Sequence, residues 1–115
     1  MGYNLKTLTK ELNENGLAED NLVAFGQNAI GVVMALTCPM YTISCANNKI
    51  IITPFTNKYI DFENKKEIDA NDIIEAKVSG LLTGTLKIKT ANGVSKYPIV
   101  QGKGAVKQIL IKLGL

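Results

Sequence analysis

Residues 21–48 read NLVAFGQNAIGVVMALTCPMYTISCANN and contain no charged side chain, although the chain has thirteen lysines and ten acidic residues elsewhere. A membrane-spanning helix needs about twenty predominantly apolar residues. The apolar run from Ile30 to Leu36 is too short for one and is closed by Pro39. Valine, isoleucine and phenylalanine with scattered glycine instead indicate strands that are buried on both faces or bent at glycine. We therefore predict three strands in this stretch: Leu22 to Gln27, one within Ala29 to Leu36, and Tyr41 to Ala46.

After this stretch, the sequence alternates short strand patterns with turn residues. Asn47-Asn48 predicts a tight turn, because asparagine tolerates positive φ. Ala91-Asn92-Gly93 gives a second hairpin signal, and Ile68 to Asp72 predicts a turn capped by side chains. The strands predicted from this pattern are Lys49 to Phe55, Lys58 to Phe62, Ile73 to Ser79, Gly84 to Thr90 and Val94 to Val100.

Two amphipathic helices flank the predicted strands. Their apolar residues recur at helical spacing: they are Leu5, Leu8 and Leu12 in the first helix, and Val106, Ile109, Leu110 and Leu113 in the second. Gly16 follows the first helix where a left-handed C-cap is expected. We predict one domain over residues 1–115, with an N-terminal helix at 4–16, an antiparallel β meander at 21–101 and a C-terminal amphipathic helix at 102–114.

Three segments of the meander follow a recognisable order. They are the strand–turn–strand unit Tyr41 to Thr53, the polar turn and strand Ile68 to Val78, and the hairpin strand Gly84 to Thr90 with Gly93. With the closing helix, they resemble the bacterial PH-like domains (pleckstrin-homology-like, or GRAM-like). The resemblance covers about residues 22–113. It implies a mainly β (α+β) fold: an antiparallel bent sandwich or barrel of about six or seven strands, with the C-terminal helix capping one end.

Composition argues against catalysis and against nucleic-acid binding. The chain has no histidine, which removes the commonest general base and zinc ligand. It has no arginine either, the residue best suited to bidentate contacts with phosphate and guanine. The spacing of Cys38 and Cys45 matches no metal site, and Asp69 and Asp72 fit a capped turn better than a calcium loop. We expect a non-enzymatic protein with no catalytic, metal or cofactor site and no nucleic-acid partner. Since no secretory signal pattern opens the sequence, we expect a cytoplasmic protein of bacterial origin.

The uncharged stretch also suggests where the chain meets a partner. In a barrel only one face of each strand points inward, so the outward face of this stretch must be covered. The first helix can cover part of it. The remainder predicts an apolar interface formed by Ile30, Val32, Val33, Met34 and Met40. We therefore expect an interaction or assembly module that self-associates into a homo-oligomer. The alternative is that contacts within the chain cover the whole stretch.

A second surface is predicted from lysines at alternating strand positions. Lys87 and Lys89 share one face of a strand, with Lys77 on a neighbouring strand and Lys96 across the hairpin. These four side chains form a basic face that could attract an acidic protein or, weakly, an anionic membrane surface; as an alternative, they form an ordinary solvated face that discourages edge pairing. Family members that bind phosphoinositides use cations near the first strand–strand loop, whereas this loop, near Gly26 to Gly31, has none. A further alternative function is binding a small apolar ligand in the mouth of the barrel.

Overall fold

The structure is a computed structural model that describes residues 4–27, 40–56, 58–80 and 84–115. Within these ranges, two helices flank seven strands. The elements are α1 (Leu5–Glu14), β1 (Val23–Gln27), β2 (Met40–Ala46), β3 (Lys49–Phe55), β4 (Lys66–Asp69), β5 (Ile73–Ser79), β6 (Gly84–Thr90), β7 (Gly93–Ile99) and α2 (Lys103–Lys112). Single turns of 3-10 helix at Phe62–Asn64 and Ala70–Asp72 lie before and after β4.

The strands form two antiparallel sheets packed as a sandwich. The first sheet has the order β1-β2-β3-β4 and the second the order β5-β6-β7. The predicted mainly β fold with a helix at each end is therefore confirmed. The barrel form is wrong: within the described residues the sheets meet at one corner, by an isolated bridge between Phe25 and Gln101, and do not close. There the Phe25 amide donates to the Gln101 carbonyl oxygen at 2.9 Å.

The main core lies between the two sheets. Alternate residues of each strand point inward, as Ile43 and Cys45 do from β2 and as Leu86 and Ile88 do from β6. From α2, three buried side chains complete this core: Val106, Ile109 and Leu110. Full burial of one such aliphatic side chain contributes about 1.5–3 kcal/mol, so this interior is the principal source of stability.

Helix α1 covers the outer face of the first sheet. The Asn4 side chain caps it by accepting from the Thr7 amide at 2.8 Å, and Gly16 ends it with φ of +72°, as the sequence predicted. Leu12 packs with Val23, Ala46 and Ile51, and Leu8 packs with Phe55 and Ile60. Strands β1 and β2 are therefore buried from both sides, which accounts for the absence of charge in their sequence.

The interface between α1 and this sheet also contains hydroxyl groups. Thr42, Ser44 and Thr53 are fully buried there. Ser44 Oγ donates to the Leu17 carbonyl oxygen at 2.6 Å, whereas Thr53 Oγ1 has no hydrogen-bond partner among the described residues. This second interior is thus more polar than the core between the sheets.

Two tight turns join strands at the predicted places. Asn47 and Asn48 both have positive φ, 55° and 63°, and they connect β2 to β3. In the β6–β7 hairpin, Ala91 and Asn92 form the loop, and Gly93 pairs with Thr90 at φ of +129°. Glycine is therefore needed here at the first residue of β7 rather than within the loop.

One predicted strand is wrong and one real strand was missed. Lys58 to Phe62 is not a strand, because Ile60 makes only an isolated bridge with Phe55 and a 3-10 turn starts at Phe62. The Asp61 side chain caps that turn by accepting from the Asn64 amide. Strand β4 was not predicted, because Ile68 is its single apolar residue. The strand predicted within residues 29–36 lies outside the described residues.

Gly26 allows the two sheets to approach closely at their shared corner. A Cβ atom at position 26 would overlap the Pro98 carbonyl oxygen and lie 2.9 Å from the Tyr41 hydroxyl. That hydroxyl donates to the same Pro98 oxygen at 2.6 Å. The corner therefore has no room for a side chain.

We expect Gly26→Ala to lower the free energy of unfolding by about 2 kcal/mol, because overpacking typically costs about 1–3 kcal/mol. Urea denaturation followed by circular dichroism measures the change. Gly104→Ala is the matched control, since nothing lies within 4 Å of its added Cβ and alanine is favoured inside a helix by about 0.5–1 kcal/mol. Equal stability of the two variants would contradict the close approach.

Candidate functional site

The outer face of the second sheet is open to solvent within the described part of the chain. Helix α1 packs on the first sheet, and the buried side of α2 lies in the core between the sheets. Because Leu86 and Ile88 point inward, Lys87 and Lys89 point outward from β6. Lys89 is exposed, as is Lys96 on β7, whereas Lys87 on the central strand is half-buried.

Strand register aligns three of the lysines in one row across the sheet. Lys77 of β5 pairs directly with Lys87 of β6, and Lys87 pairs directly with Lys96 of β7. We call these three residues the lysine row. With strands about 4.8 Å apart, the row is roughly 10 Å long. The four lysines predicted to form a basic face therefore lie together, since Lys89 follows two residues after Lys87 on the same face.

The next row of the face is mixed in character. It consists of Glu75, Lys89 and Val94, which are directly paired. Glu75 and Val94 were not singled out from the sequence. The available signal was their spacing of two residues from Lys77 and Lys96, which places them on the same face of their strands; their alignment across strands depended on register.

The lysine row is electrostatically unfavourable for the folded chain. Like charges directly opposite each other on neighbouring strands are destabilising. Glu75 lies 3.7 Å from Lys77, and both side chains are more than half exposed, so this pair contributes little. Among the described residues, no ion pair involves Lys87, Lys89 or Lys96. The row thus presents largely uncompensated positive charge to solvent.

The predicted apolar interface is described at only one of its five residues. Met40 is partly buried and packs against the cluster of Leu8, Phe55 and Ile60, so contacts within the chain cover it in part. The other four residues, Ile30, Val32, Val33 and Met34, lie outside the described residues. The assignment of these residues to a subunit interface stays a prediction.

A cleft of about 590 Å³ lies between β4 and the β6–β7 hairpin. The buried side chains of Ile68 and Ile88 line it, together with polar groups from Lys66, Asp69 and Asn92. This lining is mixed rather than apolar. The apolar ligand site predicted at the mouth of the barrel stays a prediction.

Cys45 and Asp69 were weighed as chemical groups in the sequence, and the structure gives the surroundings of both. Cys45 is a buried free thiol, and burial raises the pKa of that thiol, whereas a nucleophilic cysteine needs a lowered pKa. Asp69 caps a turn by accepting from the Asn71 amide at 2.9 Å, as predicted. Within residues 4–27, 40–56, 58–80 and 84–115, no cluster of three or more acidic or cysteine side chains is placed to hold a metal ion.

Tyr41 is a buried tyrosine whose hydroxyl group makes a hydrogen bond inside the fold. Burial raises the pKa of Tyr41 well above its usual range, and the neighbouring Tyr97 adds to the shift. The two rings pack edge to face with centroids 5.8 Å apart. Because the Tyr41 hydroxyl stays protonated, it serves as a donor to Pro98 and not as a base.

Comparison with protein-family models, with curated proteins and with solved structures gives no match for this chain. None of the helices in the described ranges has the length and apolar character needed to cross a membrane.

We expect Lys87→Gln to raise the free energy of unfolding by about 0.5 kcal/mol, because it removes the middle charge of the lysine row. The gain should shrink as sodium chloride is added, since salt screens exposed charges. Thermal unfolding at low and high salt measures both effects. Lys107→Gln is the control, because Lys107 is an exposed helical residue outside the row. A Lys87→Gln variant that is less stable than the parent at low salt would contradict the repulsion.

Proposed function

We propose that this chain is a non-enzymatic interaction module that binds an anionic partner through the exposed face of its second sheet. The observation that carries the proposal is the lysine row, in which three paired strands each place a lysine at the same level. A row of like charges costs the fold free energy. The negative charges of an anionic partner would offset this repulsion between the lysines.

The surroundings of the row support a binding role over a purely structural one. Lysine on an edge strand discourages unwanted strand pairing, which explains Lys77 and Lys96. Lys87, however, lies on the central strand of the sheet, where edge protection is not needed. Its position between two other lysines is the feature that a structural role leaves unexplained.

The PH-like resemblance remains part of this proposal. A four-stranded and a three-stranded antiparallel meander followed by a helix is consistent with the layout that the resemblance implies. We place the protein in the cytoplasm, where free thiols such as Cys45 persist. Neither statement assigns a pathway, so the function rests on the surface itself.

The proposal predicts that the lysine row dominates binding to an acidic polymer. We expect the Lys77→Gln, Lys87→Gln, Lys96→Gln triple variant to elute from a poly-L-glutamate resin at clearly lower salt than the parent. A control triple variant, with Lys6, Lys10 and Lys107 changed to glutamine, loses the same charge from exposed helical positions. Identical elution of the two triple variants would show that net charge alone governs binding and would refute the assignment.

Self-association is a second candidate function. It is favoured by the sequence of residues 28–39, twelve consecutive positions without a charge. Since α1 packs on the outer face of β1 and β2, we expect an interface to come mainly from this segment. The expected product is a homo-oligomer.

We expect Val33→Lys to shift a homo-oligomer towards monomer in native mass spectrometry at micromolar concentration. A charge placed in an apolar interface would be desolvated without a partner, at a cost of several kcal/mol. Val94→Lys is the control, because Val94 is 51% exposed on the second sheet. An unchanged oligomeric state in Val33→Lys, or a monomeric parent, would exclude this interface.

A further inference from the structure

We infer that the partner of the lysine row is an acidic α-helix of another protein, lying across the three strands of the second sheet. This inference rests on the proposed function and names the class of partner. Its basis is the match between the spacing of the lysines and the spacing of side chains on a helix.

The lysines of the row recur at the distance between neighbouring strands. Directly paired strand residues have Cα atoms about 4.5–5.5 Å apart. Side chains three or four positions apart on a helix have Cβ atoms about 5–6 Å apart. Residues on one face of an extended strand, by contrast, recur at about 6.8 Å. Glutamates at every fourth position of a helix therefore meet Lys77, Lys87 and Lys96 in turn, when the helix runs perpendicular to the strands.

The acidic residue on the face favours a helix over a broad anionic surface. The backbone of Glu75 lies in the adjacent row, about 7 Å along β5 from Lys77, and its carboxylate lies 3.7 Å from the Lys77 ammonium group. A helix is about 10–12 Å across, so one centred on the lysine row meets this carboxylate only at the Lys77 end, where it is already paired. A lipid bilayer would cover the whole face and bring its negative charge onto Glu75.

The lysines also differ in how far their charge is compensated, and this difference favours binding at the β6 and β7 end of the row. The charge of Lys77 is partly compensated by the Glu75 carboxylate at 3.7 Å. Lys87, Lys89 and Lys96 form no ion pair with the residues that the structure describes. Exposed Val94 lies beside Lys89 in the register. The acidic helix is therefore expected to contact β6 and β7 most closely, with Val94 at its margin.

Chemical-shift titration of the ¹⁵N-labelled full chain tests this inference. The first probe is a synthetic helical peptide with glutamate at every fourth position in an alanine and glutamine background. The second has the same composition, with its glutamates redistributed around the helix. We expect the first peptide to shift the amides of the lysine row and of Lys89 and Val94. We expect the second to bind at least threefold more weakly.

Variants separate this site from general attraction. Lys87→Gln should weaken binding of the first peptide at least threefold, and Lys107→Gln should leave it unchanged within error. Equal binding of the two peptides, or shifts located away from the second sheet, would overturn the inference.

A third probe separates this inference from the proposed function. Binding to vesicles of phosphatidylcholine with added phosphatidylglycerol through the same lysines, without binding of the first peptide, would overturn the helical partner while the proposed function stands. Absence of lysine-row dependence with the peptides, the vesicles and poly-L-glutamate alike would refute both.

Discussion

The fold depends on covering both faces of its first sheet. Strands β1 to β3 carry mostly apolar or hydroxyl side chains on each side, so the sheet needs a cover on its outer face as well as a partner on its inner face. Helix α1 supplies the outer cover through Leu8 and Leu12, which are fully buried. Each of these leucines contributes about 1.5–3 kcal/mol by burial, and without them a broad apolar surface would meet water.

The second sheet is buried on its inner face but not on its outer face. Its inner face joins the core through Leu86 and Ile88, and its outer face has lysines at the same strand positions where the first sheet has buried residues. Within the described residues, the first sheet is thus covered on both faces and the second sheet on its inner face alone. Among the described residues, this difference leaves the outer face of the second sheet, with its four lysines, open to solvent.

Sequence patterns predicted the fold where their signals were strong. Apolar spacing placed both helices, and the alternation of Leu86 and Ile88 with Lys87 and Lys89 gave the orientation of β6. Two elements were misjudged for identifiable reasons. Strand β4 has one apolar residue, Ile68, and owes its existence to pairing with β3, whereas Lys58 to Phe62 alternates like a strand but ends in a turn capped by Asp61.

The sequence predicted which lysines form the candidate site but not how they are arranged. The four lysines could be assigned to one face from period-two alternation. Their alignment into a row depends on the register of two hairpins, which alternation alone does not specify; β5 even contains a register shift between Ile73 and Glu75. The importance of Lys87 as the middle charge follows only from that register.

The hydrogen bond that joins the sheets at their corner has a consequence for how the chain is made. Tyr41 and Pro98 are 57 positions apart in the chain, and β1 meets its neighbour Gln101 at the same corner. Ribosomes release the N-terminal segments first, at about 5–20 residues per second. For several seconds, then, α1, β1 and β2 have been synthesised while β7, the strand that contains Pro98, has not. Helix α1, at ten residues, is too short to be stable alone, but Leu8 and Leu12 can pack on these strands as soon as the strands have been made and so shield them while the second sheet is still being synthesised.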